Sequence, residues 1–458
     1  MSSIGPRFAK LLQLDNPIGS LTAAFWLWKA LLFIVVAACP GPGYDTSTSL
    51  VLDAGHDGSL PMSLKFARWD SIYFLHTSEQ GYVFEQEWAF SWPRLLSFFV
   101  SGRDDLISLG DTCLVIRWSG GEDGTVTTVV VGVAVSHFAH YLSVLALYGL
   151  SGNIFGDETV TQRLICFLSA TLHIITPAGA FLSAPYGEST FSFLNFSGFY
   201  FYSSSLIAER KRIPALRDFN VLVASVFFAI ATLVRSNGIL SGFLFAYDAV
   251  LLAWETLTQG PSVHTLRRLG VVVLGGCIVA LGMIVPQISA YHIYCTGMEA
   301  RPWCSWTVPS IYTFVQGFYW NVGFLRYWTI SNLPLFLLAA PVLAILCKSS
   351  LWALKAPVTL SSASGGLSQS SLSPGSMLFR LAIPQLLLAI MALTSYHVQI
   401  INRISSGYPL WYWFLVSGAM VNLQDPRKRH RSLAVAAQAM VVYALIQGVL
   451  FGSFLPPA

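Results

Sequence analysis

The stretch RWDSIYFLHTSEQGYVFEQEWAFSWP, residues 68–93, sets the carboxylates of Asp70, Glu85 and Glu87 among Trp69, Tyr73, His76, Tyr82 and Trp88. Aromatic faces stack on sugar rings and carboxylates accept hydroxyl protons, so this mixture suits a polyhydroxylated ligand. Plainer readings stand beside it. RWD also describes an interfacial aromatic anchor with Arg68 paired to Asp70, EQE a solvated helix start, and His76, on a helical face with Tyr73, a structural hydrogen-bonder. A second group consists of arginines: Arg235 in LVRSNG, Arg326 in FLRYW and Arg403 in INRISSGYP. Each closes or follows an apolar run, at the depth of a lipid phosphate, and a guanidinium fork binds phosphate well. Pairing with a headgroup or a lumenal carboxylate is their plainer use. Acids facing arginines at one membrane surface fit an enzyme that uses a lipid-phosphate sugar, and fit a channel poorly.

The elements that must hold these groups are membrane helices. Only 10% of the 458 residues are charged and 54% are hydrophobic, with a mean hydropathy of +0.61, well outside the range of soluble globular chains. About eleven windows are long and apolar enough to cross roughly 30 Å of hydrocarbon as helix. They lie near residues 20–39, 125–149, 162–183, 189–207, 219–235, 238–257, 269–291, 330–347, 380–397, 409–423 and 433–453. The first follows Arg7 and Lys10 without a signal-peptide cleavage site and reads as a retained helix, with Lys29 snorkelling out of it. Short basic loops stay cytoplasmic. ERKRIPALRD, HTLRR, the 348–380 loop and DPRKRHR all fall on that side if the N-terminus is cytoplasmic. Residues 40–124 then form a large first lumenal loop with interfacial helices, and SAPYGES, RSNG, residues 292–328 and VQIINRISSGYP are lumenal too.

The whole chain, 1–458, reads as one polytopic all-α domain. LSSASGGLSQSSLSPGS makes residues 350–376 a disordered cytoplasmic loop, and the polar, Gly-rich residues 101–124 an inserted loop. No repeat of fixed period supports an inverted-repeat transporter. The seven cysteines are too scattered for a disulfide scaffold, and no metal-ligand spacing occurs. Cys295 and Cys304 share one lumenal loop, where a bridge and two free thiols are both open. The NFS acceptor at Asn195 lies inside an apolar span and should go unused, and Asp248 should be an interior acid near a cytoplasmic helix end. Basic loops this short exclude nucleic-acid binding. A lipid or solute transporter with a lumenal vestibule stays as the rival class.

RWDSIYFLHTSEQGYVFEQEWAF, SAPYGES, RSNG and RISSGYPLWYW resemble, in this order, the successive motifs of the GPI mannosyltransferase 2 family, with EQEWAF closest to its fungal branch. The likeness runs from about residue 65 to the C-terminus, with 101–124 and 350–376 as insertions. It implies the C-type glycosyltransferase fold of the endoplasmic reticulum membrane, with about eleven transmembrane helices and an active site built by the lumenal loops. It implies transfer of mannose from dolichyl phosphate mannose to the first mannose of mannosyl-glucosaminyl-acyl-phosphatidylinositol, forming an α-1,6 bond with inversion. Other lumenal transferases that use a dolichyl-phosphate sugar, for N-glycans or protein O-mannosylation, are the near alternative. The motif positions mark Trp69, Asp70, Glu85, Glu87, Ser183, Pro185, Tyr186, Glu188, Arg235, Ser236, Asn237, Gly238, Arg403 and Gly407. Asp70, Glu85 and Glu87 are then the candidate catalytic acids, with Asp70 as base and its acidic neighbours raising its basicity through like-charge proximity. Trp69, His76, Tyr82, Tyr186, Glu188, Arg235, Asn237, Arg326 and Arg403 are the candidate substrate-binding residues. No cofactor is expected, the lipid-linked donor being a substrate; metal dependence is left open. The fungal likeness also points to a small membrane accessory subunit.

Overall fold

A computed structural model describes residues 15–40, 62–89, 124–297, 301–361, 374–421, 426–453 and 455. Helix α1 (Pro17–Ala38) starts at Asn16, whose side chain accepts from the Gly19 N–H, with Pro17 at the first helical position. The segment that follows α1 supplies α2 (Ser71–Gln80) between two short 3₁₀ turns, Met62–Phe66 and Glu85–Ala89. Then come α3 (Gly124–Phe155), α4 (Val160–Ile174), α5 (Gly187–Arg210), α6 (Pro214–Val234), α7 (Phe243–Gln259) and α8 (Val263–Cys295). The rest is α9 (Ile311–Phe318), α10 (Leu333–Ser361), α11 (Pro374–Thr394), the single turn α12 (Ile401–Ile404), α13 (Leu410–Val421) and α14 (Pro426–Gly452). No strand occurs among the described residues. The inserted loop expected at 101–124 lies outside the described residues, save Gly124.

Each of the eleven expected windows coincides with a helix. Among the described residues, eight helices are long and apolar enough to cross a membrane. Three fall short: α4 has 15 residues, α13 has 12, and α5 is long enough but rich in serine. Helix α5 is the hub of the bundle, packed between α3 and α6, with α8 beyond α6. Its hydroxyls explain how a polar helix sits there, because Ser192, Ser203 and Ser205 donate back to the carbonyls of Glu188, Tyr200 and Tyr202. Asn195, the formal glycosylation acceptor, is fully buried, donating to the Gly407 carbonyl and accepting from Ser241.

Inside the bundle the Asp248 carboxylate is paired. Arg380 holds Asp248 through Nε and Nη2, and the Tyr202 hydroxyl donates to the same carboxylate, as an interior acid requires. Lys29 departs from expectation. Rather than snorkelling, its Nζ is buried and donates to the Leu182 carbonyl and Ser183 Oγ. Local acceptors at bonding distance remove the reason to reach for water. Residues 350–376 also differ from expectation: α10 continues through Ser361 and α11 begins at Pro374, while 362–373 lie outside the described residues. The run LWALKAPVTL extends the helical turn pattern that the Ser/Gly-rich composition downstream had masked.

The two ends of α5 separate two charged regions. At its C-terminal end Glu209 meets Arg217 and Arg268, and Arg217 and Arg267 hold Asp218, tying α5, α6 and α8 together. At its N-terminal end stands Glu188, which a rise of about 1.5 Å per residue places roughly 30 Å away.

Candidate active site

The site begins at a strained turn. Trp69 has φ +54°, in the left-handed region that bulky side chains avoid, and it aims the next residue, Asp70. Asp70 occupies the N-cap position of α2, yet its carboxylate makes no capping bond. Instead Oδ2 lies 2.6 Å from Arg403 Nη2. The helix N-terminus favours the negative charge there without consuming it.

Arg403 sits on the one-turn α12, between α11 and α13. Its Nε is 3.1 Å from Glu188 Oε1, and Arg235 Nη1 is 2.7 Å from that same oxygen. Glu188, in the first turn of α5 and with no exposed side-chain surface, thus joins the two guanidiniums. Burial alone would lower the Arg403 pKa; the Asp70 and Glu188 carboxylates outweigh it and hold the guanidinium firmly charged. The guanidinium also stacks over the Phe181 and Tyr186 rings, 4.8 and 5.5 Å from their centres. Arg235 ends α6 in extended backbone. The chain then turns so tightly that a Cβ on Gly238 would lie 2.6 Å from the Thr232 nitrogen, so only glycine fits.

These groups open onto a cavity of about 240 Å³. Asp70, Arg235 and Arg403 supply its charge; Tyr73, Tyr312, Trp320 and Tyr396 supply aromatic wall; Ser236, Asn237, Gln316 and His397 supply further polar groups. Asp70 is its one carboxylate among the described residues. Asn237 is fixed by Tyr408, whose hydroxyl donates to its carbonyl, and Ser236 donates to the Tyr312 hydroxyl. Base, paired cations and aromatic rings around one space can take a proton from a hydroxyl, hold a phosphate and seat a sugar.

Glu85 and Glu87 point elsewhere. Arg301 grips Glu85 with Nε at 2.8 Å and Nη2 at 2.5 Å, and Trp303 Nε1 and the Tyr319 hydroxyl each add a bond of 3.2 Å. Burial would raise the Glu85 carboxyl, but the hydrogen bonds from Arg301 and Trp303 prevail and hold it below the usual carboxylate value. Glu87 accepts from the Val83 and Phe84 N–H groups and meets His76 Nδ1. Tyr82 stacks on Trp88, their ring centres 4.0 Å apart. Glu85 and Tyr82 therefore knit this segment to residues 301–319, while His76 and Glu87 bond within it, and none of the four lines the cavity. The like-charge proximity expected to tune Asp70 gives way to a different arrangement, because each of the three acids meets its own cation or donor set.

Of the other expected residues, Trp69, Tyr186 and Glu188 stand behind the cavity wall; the Tyr186 hydroxyl donates to the Arg68 carbonyl. Arg326 is exposed on the loop ahead of α10, bonded to the Gly317 carbonyl and away from the cavity wall. Cys295 and Cys304 form a disulfide that encloses Arg301 and Trp303. Arg301, Tyr312, Trp320 and Tyr396 had gone unremarked in the sequence. The one usable signal was Arg301, a cation in the short stretch between Cys295 and Cys304.

The model of a family described as Mannosyltransferase (PIG-V) matches residues 37–458. Among curated relatives, GPI mannosyltransferase 2 of Aspergillus oryzae is 52% identical, over 98% of this chain and 98% of its own. The Aspergillus fumigatus protein of that name is 50% identical over 97% and 94%, and the Saccharomyces cerevisiae one 28% over 96% and 100%. Among solved structures, an Archaeoglobus fulgidus oligosaccharyltransferase with a tethered acceptor peptide aligns at a TM-score of 0.38 and 13% identity. That alignment covers 72% of this chain and 45% of the other.

Proposed function

The chain belongs to the mannosyltransferase (PIG-V) family, and from that premise we propose that it adds the second mannose to the GPI-anchor precursor lipid. The donor is dolichyl phosphate mannose, the acceptor the first mannose of the precursor, and the new bond α-1,6. The observation that carries this reading is the cavity in which Asp70 faces Arg235 and Arg403 among aromatic rings.

A β-mannosyl phosphate yielding an α-mannoside requires inversion at the anomeric carbon in one displacement. Asp70 takes the proton of the acceptor 6-hydroxyl as its oxygen forms the bond to that carbon, and the bond to the phosphate oxygen breaks. Dolichyl phosphate leaves as an anion and needs no acid. In that step negative charge passes from Asp70 to the phosphate, and Arg403, which contacts Asp70 at rest, can follow it with Arg235. Tyr73, Tyr312, Trp320 and Tyr396 seat the sugar rings and exclude water.

The fold is of the C-type glycosyltransferase class, with eleven crossings in the endoplasmic reticulum membrane and the cavity lumenal. The Cys295–Cys304 disulfide on the cavity side supports the oxidising face, and the basic α5–α6–α8 cluster supports the cytoplasmic one. Depleting the protein from cells tests the reaction. The anchor lipid bearing one mannose should accumulate; a build-up of lipids bearing none, or three, would refute the assignment. A tag within 362–373 should be open to protease outside sealed microsomes, and its protection would overturn the orientation.

A further inference from the structure

The mechanism makes no use of Lys29, although an ionisable side chain buried inside a membrane helix is too expensive to be idle. Its two acceptors, the Leu182 carbonyl at 2.8 Å and Ser183 Oγ at 2.9 Å, belong to the turn that runs from the 3₁₀ segment Gly179–Leu182 to the start of α5. The Phe25 ring, its centre 5.5 Å away, faces the same nitrogen. Two further bonds fix this turn from inside the bundle: Ser136 on α3 donates to the Ala184 carbonyl, and Ser189 to that of Leu182.

What leaves the turn on its other side is the whole charged site. The Phe181 and Tyr186 rings carry the Arg403 guanidinium. The Tyr186 hydroxyl holds the Arg68 carbonyl, two residues ahead of Asp70. Glu188 bridges Arg403 and Arg235. Asp70 and both arginines are therefore located against one turn, and the Lys29 side chain ties that turn to α1.

We propose that Lys29 is a positioning residue for the transfer site, setting the 179–188 turn and through it Asp70, Arg235 and Arg403. The role in transfer rests on the reaction assigned above; the positioning itself does not. The test uses the full-length protein in lipid nanodiscs, comparing wild type, Lys29→Met and Ser183→Ala by hydrogen–deuterium exchange, thermal melting and steady-state transfer. Lys29→Met should speed exchange at least tenfold in residues 179–189 and 401–408 while α6 and α8 keep their protection. The donor KM should rise about tenfold, with kcat falling less. Ser183→Ala, which removes one acceptor, should move the same observables in the same direction by less, and decides the matter if Lys29→Met does not fold. Unchanged exchange in 179–189, or loosening spread evenly over all helices, overturns the proposal. If wild type transfers no mannose, the assigned reaction fails while the exchange comparison still decides the role of Lys29.

Discussion

At the scale of residues, the site turns on how each costly charge is used. A carboxylate or guanidinium at mid-bilayer costs about 2.5 to 3.5 kcal/mol, so Asp70, Arg235 and Arg403 stood out at span boundaries before any coordinates. Their mutual pairing was less legible, because Arg403 meets Asp70 across 333 positions of sequence. The purposes of Glu85 and Glu87 were hidden for the same reason, since the Arg301 that holds Glu85 lies 216 positions away. Arg403 bridges two acids through separate nitrogens, which a lysine ammonium reproduces poorly. Arg403→Lys should therefore raise the donor KM about tenfold, a loss of roughly 1.4 kcal/mol, with a smaller change in kcat. Titration of the donor against purified wild-type and variant protein measures this, and an unaltered donor dependence would make Arg403 structural.

At the scale of elements, segments distant in sequence build one cavity, two of them joined to each other by a clasp. Asp70 and Tyr73 come from the first loop, Tyr312, Gln316 and Trp320 from the loop around α9, and the Glu85–Arg301 pair clasps the two segments. The disulfide closes the short loop that presents Arg301. Glu85→Arg or Arg301→Glu alone should speed hydrogen exchange at 82–89 and raise both substrate KM values, and the exchanged pair should restore part of the loss. Failure of the double variant to recover anything would point to a direct substrate role for Glu85. Because the Glu85 carboxyl is held below its usual value, the clasp stabilises fully at neutral pH and loosens only as pH falls through that depressed value. The protection at 82–89 should accordingly differ between wild type and Glu85→Gln at pH 7 and converge in strong acid. The existence of the helices was legible because apolar windows are long. Their character was not always so: α5 satisfies its serines internally, which no hydropathy sum registers, and Lys29 found acceptors on a turn that sequence could not place beside it.

At the scale of the molecule, the bundle keeps two charged regions at opposite ends of α5, one a closed network of ion pairs, the other open to a cavity. The central claim is that this cavity transfers mannose with Asp70 as base. General-base catalysis contributes about 10² to 10⁴-fold, or roughly 3 to 5 kcal/mol of barrier. The direct measurement is single-mannose transfer by purified protein in nanodiscs supplied with dolichyl phosphate mannose and the one-mannose anchor lipid, comparing wild type with Asp70→Asn, Glu85→Gln and Glu87→Gln at matched melting temperature. Wild type should give a two-mannose product, Asp70→Asn a turnover lowered by about two to four orders of magnitude, and the two glutamine variants smaller losses. Near-normal turnover in Asp70→Asn beside an inactive Glu85→Gln or Glu87→Gln would contradict it, moving the base out of the cavity described above.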